Sequence, residues 1–190
     1  MELRLANLND AREILNIYKY YIENTAITFE YKIPSLEEFE NRVKTISKDY
    51  PYIVALIDNK IIGYAYASKY KERDAYNWDV ELSIYANESY HNKNIASTLY
   101  SCILDILKLQ GFYNVYACIT VPNIKSEKFH KKHGFNLVGC FSHAGFKFNK
   151  WWDIIWMEKN IIDFNIPPKP IKHINLIKNS EIQNIFNMYV

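Results

Sequence analysis

One carboxylate, Glu81, stands inside the strand-like run Val80-Glu81-Leu82-Ser83-Ile84-Tyr85-Ala86, among aromatic and aliphatic neighbours. Removal from water raises a carboxyl's pKa towards working pH, where it can act as a base. A core glutamate paired with a lysine or arginine would read the same way. His130, in Phe129-His130-Lys131-Lys132-His133-Gly134-Phe135, is a second candidate. Imidazole exchanges protons near neutrality and can serve as base or acid, although a capping or surface histidine is the plainer alternative. His130 and His133 lie three apart, but no third ligand follows at a spacing that suits a metal, so none is expected. The polar run His91-Asn92-Lys93-Asn94-Ile95-Ala96-Ser97 precedes an apolar periodicity. A helix beginning there offers unpaired N–H groups and a positive dipole end to an anion, or is simply a polar loop that caps a helix.

These groups need a scaffold. Residues 78–86 read as a strand, and Ala96, Leu99, Tyr100, Ile103 and Leu107 recur at helical spacing after it until Gly111. Upstream, residues 2–5 alternate as a short strand. Asp10 and Glu13 have the form of a capping box, opening a helix buried through Ile14, Ile17, Tyr18 and Tyr21. Pro34 and Ser35 start a second helix carrying Phe39, Val43 and Ile46. Residues 52–57 and 61–67 form a hairpin about Asp58-Asn59-Lys60. Downstream, residues 115–121 lack alternation and read as a strand buried on both faces. A helix opened by Pro122 and Asn123 follows. Two strands, 135–141 and 152–157, then flank a loop at 143–150. The order β-α-α-β-β-β-α-β-α-β-β predicts an α/β fold with a mixed sheet. Residues 1–165 form the expected domain and residues 166–190 a proline-containing tail of weak helical pattern.

The 190 residues are 49% hydrophobic, 16% aromatic and 23% charged, with a formal net charge of +2. That balance excludes disordered and collagenous chains, and the even spread of Lys and Arg gives no expectation of nucleic acid. No apolar run reaches the roughly 18 residues of a membrane span, and Met1 to Asp10 has no signal-peptide pattern. A cytoplasmic protein with neither membrane nor nucleic-acid partner is expected. Cys102, Cys118 and Cys140 are widely spaced and read as buried, reduced thiols.

With these segments together, the chain resembles the GCN5-related N-acetyltransferase (GNAT) fold over about residues 1–160. His91 to Ala96 stands where that family has its pyrophosphate loop, with His91 in place of Gln or Arg and Asn94 in place of the central glycine. Val121-Pro122-Asn123 with Ser126, and His130 with Gly134-Phe135, resembles the segment that follows the fifth strand. Within the superfamily the chain is similar to the phosphinothricin and methionine sulfoximine or sulfone acetyltransferases. Residues 23–29, Lys71-Glu72-Arg73 with Tyr76 and Trp78, and residues 144–153 carry that likeness.

The resemblance implies a mixed sheet with splayed fourth and fifth strands and helices on both faces. It implies acetyl-CoA as co-substrate, its pantetheine arm along Ile84, Tyr85 and Ala86 and its phosphates on Asn92, Lys93, Asn94, Ile95, Ala96 and Ser97, with Asn123 nearby. Glu81 and His130 would manage the protons. Phe29, Lys71, Arg73 and Ser83 would meet a small-molecule amine substrate, an amino acid or its analogue, acetylated on its α-amino group by direct transfer in a ternary complex. No cysteine falls at a matched site position. A homodimer through the last hairpin is also implied. Acetylation of a peptide N-terminus or an antibiotic amine, and a non-catalytic acyl-CoA-binding module, are the rival readings.

Overall fold

The computed structural model describes residues 1–90 and 94–190. Seven strands, β1 (Glu2–Leu5), β2 (Tyr52–Ile57), β3 (Lys60–Lys69), β4 (Asp79–Ala86), β5 (Asn114–Val121), β6 (Asn136–Lys147) and β7 (Lys150–Asn160), form one sheet. Their order is β1-β2-β3-β4-β5-β7-β6. Every neighbouring pair is antiparallel except β4 and β5, which are joined by a helix crossover and run parallel.

Helices α1 (Ala11–Asn24) and α2 (Leu36–Ser47) cover one face and α3 (Ile95–Gln110) the other, with α4 (Ile124–Lys132) following β5. Period-two alternation produces the two-sided core. On β2, Tyr52, Val54 and Leu56 meet Ile14, Tyr18, Phe39 and Val43, while Ile53 and Ala55 face Leu99, Ile103 and Leu107. Helix α2 starts where Ser35 accepts a hydrogen bond from the Glu38 N–H at 3.1 Å, with Glu37 and Glu38 in its first turn to complement the dipole. Helix α3 ends at Gly111, whose φ of 96° turns its N–H onto the carbonyls of Leu107 and Lys108.

Five sequence-based expectations are corrected. Asp10 makes no side-chain cap for α1. The capping box is Asn7 with Asp10, and the Asp10 carboxylate is gripped by Arg4 at 2.6 and 2.8 Å. Strand β5 is not buried evenly on both faces: Val115, Ala117 and Ile119 point inward, whereas on the other face Tyr116 is half-buried, Cys118 exposed and Thr120 buried. Only Cys102 is a buried thiol, for Cys140 is exposed as well. Residues 143–147 belong to β6 rather than to a loop. The connection to β7 is the two-residue turn Phe148-Asn149, both at positive φ as such a hairpin turn requires.

The fifth concerns residues 166–190. They end in α5 (Asn179–Asn187), whose Ile182, Ile185 and Phe186 join Ile174 and Ile177 in the core that α3 covers. A short helix with three inward apolar residues gives little periodic signal, and its docking against α3 and β1 supplies what propensity does not.

Candidate active site

Parallel pairing between β4 and β5 lasts three rungs, Asp79 with Asn114, Val80 with Val115 and Glu81 with Tyr116. Beyond Glu81 the strands part, and a cleft of about 80 Å³ opens between them. It is lined by Glu81 to Tyr85 from β4, Ala117 to Thr120 from β5, Asn123, Ser126 and His130 from the following turn and α4, and Ile27 from the loop after α1.

Alternation puts Glu81, Ser83 and Tyr85 on the face of α1 and α2 and leaves Val80 and Leu82 packed under α3. Burial raises the Glu81 carboxyl pKa above its usual value of 4.5, and no charged partner contributes to that shift. The reading of Glu81 as half of a core ion pair is therefore set aside. Ser83 lies opposite Tyr66 in the β3–β4 pair.

His130 is buried among Tyr100, Phe129 and Phe135, whose rings lie 5.0–5.6 Å from one another or from the imidazole. Its Nδ1 lies 2.8 Å from the Ser126 carbonyl oxygen. That oxygen can only accept, which assigns the proton to Nδ1 and leaves the lone pair on Nε2. Burial lowers the imidazole pKa below 6.5 despite the Ser126 bond. The cleft thus holds a carboxyl pushed up and an imidazole pushed down, each by its burial.

Cys118 and Thr120 line the cleft although the sequence singles out neither as a site residue, because β5 reads there as buried on both faces; Ser126 and Ile27 lie in segments that carry the resemblance but have no assigned role. Cys118 opens onto the cleft, but burial of the sulfur and the nearby Glu81 charge push its thiol up to about 12.

At the cleft's outer end, α3 begins at Asn94 in the left-handed region, with φ 59° and ψ 8°, and the Asn94 side chain makes no cap hydrogen bond to the first turn. Asparagine tolerates that conformation where a glycine was expected. The helix start is held close to the sheet by Gly63, where an added Cβ would lie 3.1 Å from Ile95 and 3.2 Å from Leu99. Asn92, Lys93 and His91 lie outside the described residues. Asn123 caps α4 by accepting the Ser126 N–H at 3.1 Å. An open β4 edge, leading from the N-terminus of α3 to Glu81, fits the extended, anionic acetyl-CoA.

The expected substrate contacts are not all gathered at the cleft. Lys71 Nζ sits 4.8 Å from the centroids of Tyr70 and Tyr76, and Tyr70 stacks at 4.2 Å on Tyr116, the residue opposite Glu81. Arg73 is exposed and makes no ion pair among the described residues. The Phe29 ring lies on Gly145 of β6. Lys147 donates to the Thr28 carbonyl at 2.8 Å and Tyr31 to the Phe146 carbonyl, so the loop carrying Ile27 and Phe29 is pinned to the β6–β7 hairpin. A larger cavity, about 730 Å³, lies between the end of α2 and residues 170–173. In it Lys69 pairs with Glu72 and the Asp49 carboxylate lies 2.8 Å from His173 Nδ1, and it contains neither Glu81 nor His130.

A parallel pair that opens at a carboxylate, beside a helix start able to hold phosphate, defines an acetyltransferase site. The Acetyltransferase (GNAT) domain family matches residues 3–156, and the chain belongs to that family. It is 29% identical over 177 residues to a phosphinothricin N-acetyltransferase of Streptomyces viridochromogenes, covering 93% of this chain and 96% of that protein. It is 24% identical to an L-methionine sulfoximine/L-methionine sulfone acetyltransferase of Salmonella typhimurium, covering 88% and 98%. A phosphinothricin acetyltransferase from Sinorhizobium meliloti, solved in complex with acetyl-CoA, superposes with a TM-score of 0.83 at 35% identity over 90% of this chain and 92% of that one.

Proposed function

We propose that this enzyme acetylates the α-amino group of a small amino acid or analogue of the phosphinothricin or methionine sulfoximine type, with both substrates held at once. The observation that carries this reading is Glu81 at the fork of β4 and β5, half-buried, without an ion-pair partner among the described residues, and raised in pKa by burial. The relatives of known name support the substrate class.

Acetyl-CoA supplies an acetyl group already activated as a thioester. Helix α3 offers the Ile95, Ala96 and Ser97 amides to its phosphates, together with Asn92 and Lys93, and Ile84 to Ala86 align its arm, with Asn123 at the cleft wall. Glu81 takes a proton from the substrate ammonium and makes the amine nucleophilic. Neutral His130 takes up at Nε2 the second proton that nitrogen loses on becoming an amide and returns it to the departing sulfur. Cys118 stays a thiol at neutral pH, with its pKa at about 12, which favours direct transfer over an acyl-cysteine. Lys71 and Arg73 receive the substrate carboxylate, Arg73 bidentately, and Phe29 and Ser83 border the amine.

The reading includes a cytoplasmic homodimer without nucleic-acid or membrane partners. No helix among the described residues is long and apolar enough to cross a membrane. The edge strand β6 and its partner β7 leave Leu137, Val138, Phe141, Phe146 and Trp151 exposed, an apolar surface that a second copy would cover.

The test is CoA release with methionine sulfoximine, phosphinothricin and short peptides as acceptors. The free amino-acid analogues are expected to lead the peptides at least 100-fold in kcat/KM. A reversed ranking sinks the substrate class, and acetyl-CoA binding without product from any amine sinks the catalytic reading. Light scattering of wild type and Trp151→Glu checks the dimer, which the substitution should dissociate.

A further inference from the structure

We infer that a cage of buried tyrosines beside the cleft sets substrate specificity by taking the neutral, oxygen-bearing end of the amino acid's side chain; this rests on the function proposed above. A cavity of about 60 Å³ lies between β2, β3, α1 and α2. Tyr52 of β2 and Tyr64 and Tyr66 of β3 stack along its wall, with ring centroids 4.9 Å apart for Tyr52 and Tyr66 and 5.8 Å for Tyr52 and Tyr64. Tyr52 is 3% exposed and Tyr64 1%. Both line the cavity, and neither hydroxyl has a hydrogen-bond partner among the described residues. A buried hydroxyl left without a partner is destabilising. Two of them on one small space are donors held ready for an acceptor within it.

The charges around the cavity limit what that acceptor can be. Glu30 accepts from Arg42 at 2.6 Å and from the Tyr18 hydroxyl at 3.0 Å. Arg42 donates through its other nitrogen to Glu38, also at 2.6 Å. The guanidinium is thus matched by two carboxylates, and an anionic group entering the cavity would meet Glu30 without a free cation to offset it. Burial raises the Tyr52 and Tyr64 phenols far above their usual range, so both remain neutral donors at working pH. The volume, about two waters' share of the liquid, suits the end of a side chain and not a whole amino acid. A sulfone, sulfoximine or carboxamide brings acceptors at that size. A thioether brings the size without the oxygen.

The cage lies one strand away from the reacting end. Tyr66 and Tyr64 stand opposite Ser83 and Tyr85 in the β3–β4 ladder, on the sheet face that also carries Glu81. Neighbouring strands are about 4.8 Å apart, within the span of an amino-acid side chain. One loop borders both spaces: Ile27 lines the cleft and Glu30 the cavity, and Thr28 between them is held at 2.8 Å by the Tyr18 hydroxyl. An amino acid with its amine at Glu81 therefore directs its side chain over Ser83 and Tyr66 into the cage.

Acetylation kinetics with methionine sulfone, methionine and phosphinothricin test this. The first two share a chain length and differ in the sulfone oxygens, and the third carries a negative charge. In the wild type kcat/KM should favour the sulfone over methionine at least about tenfold, and the sulfone should also lead phosphinothricin. Tyr52→Phe and Tyr64→Phe keep the stacked rings, and each should lower the sulfone-to-methionine ratio at least about fivefold. Tyr113→Phe, whose ring stacks on Phe164 away from the cavity, should leave the ratio within about twofold. A merely structural role would slow both substrates together and leave the ratio fixed. A smaller wild-type preference, a smaller fall in either cage variant, or phosphinothricin ahead of the sulfone overturns the inference. If no free amino acid is acetylated while peptides are, the proposed function itself fails and takes this inference with it.

Discussion

Glu81 and Tyr116 form the last rung of the parallel ladder, and the sheet opens directly beyond them. The carboxylate therefore sits at the root of the cleft, where backbone pairing ends and a substrate can approach. Replacing it with the neutral isostere, Glu81→Gln, should lower kcat/KM at least about 100-fold, the usual scale for a lost general base. Retention within about twofold at every pH would show that the base lies elsewhere. The same change should stabilise the fold. Because the folded pKa is raised, stability is fullest below 4.5 and lost as pH rises through the folded value, so ionised Glu81 strains the protein at neutral pH. Calorimetry at pH 7 should show Tm higher in Glu81→Gln, by about 2–4 °C per kcal/mol regained.

His130 gives the opposite sign. Its folded pKa lies below 6.5, so the unfolded chain binds the extra proton just under that value and stability rises with pH through that window. Activity needs neutral His130 and ionised Glu81, hence an acid limb in kcat/KM that starts below pH 6.5 for the imidazole and above pH 4.5 for the carboxyl. His130→Phe should leave a limb governed by Glu81 alone. A pH profile unchanged in shape by that substitution counts against His130 as a proton carrier.

A methyl group at position 145 would meet Phe29 ring atoms at 2.3–2.6 Å. Gly145→Ala should therefore expel the ring from β6 and shift the loop that Lys147 holds at Thr28. Initial-rate kinetics should show the amine KM up at least fivefold and the acetyl-CoA KM within twofold. Equal rises in both would place Phe29 outside the amine site.

Asn94 stands at φ 59°, a conformation glycine adopts without penalty. Asn94→Gly should keep or tighten acetyl-CoA binding, whereas a β-branched Asn94→Val should weaken it at least tenfold because the start of α3 must move. Titration calorimetry decides between a backbone role and a side-chain role: loss of binding in the glycine variant would show that the amide group itself holds the ligand.

Phe186 is 3% exposed on α5, packed into the core under α3. Phe186→Ala should cost about 3–5 kcal/mol, the range for a buried aromatic cut to alanine. Urea unfolding would read this as a lower midpoint at nearly constant slope. A loss under about 1 kcal/mol would mean that residues 171–190 are an appendage.

The sequence by itself determined the element order, the two candidate proton carriers, and the family, because apolar period and local motifs are properties of neighbouring residues. Glu81 stood out as a charge among apolar side chains, and Asn94 as the residue able to turn the loop. What only the tertiary structure decided depends on separation along the chain. Cys118 and Thr120 enter the cleft because β5 lost its partner after Tyr116, and no local pattern records a missing neighbour. Residues 143–147 became strand because β7 pairs with them, and α5 became helix because α3 and β1 offered it a surface. Glu81 has no ion-pair partner among the described residues because none of their cations reaches it from another element. Tyr21, sixty-five residues from Ala86 in sequence, reads as one more apolar helix position until the fold sets its hydroxyl on the Ala86 carbonyl.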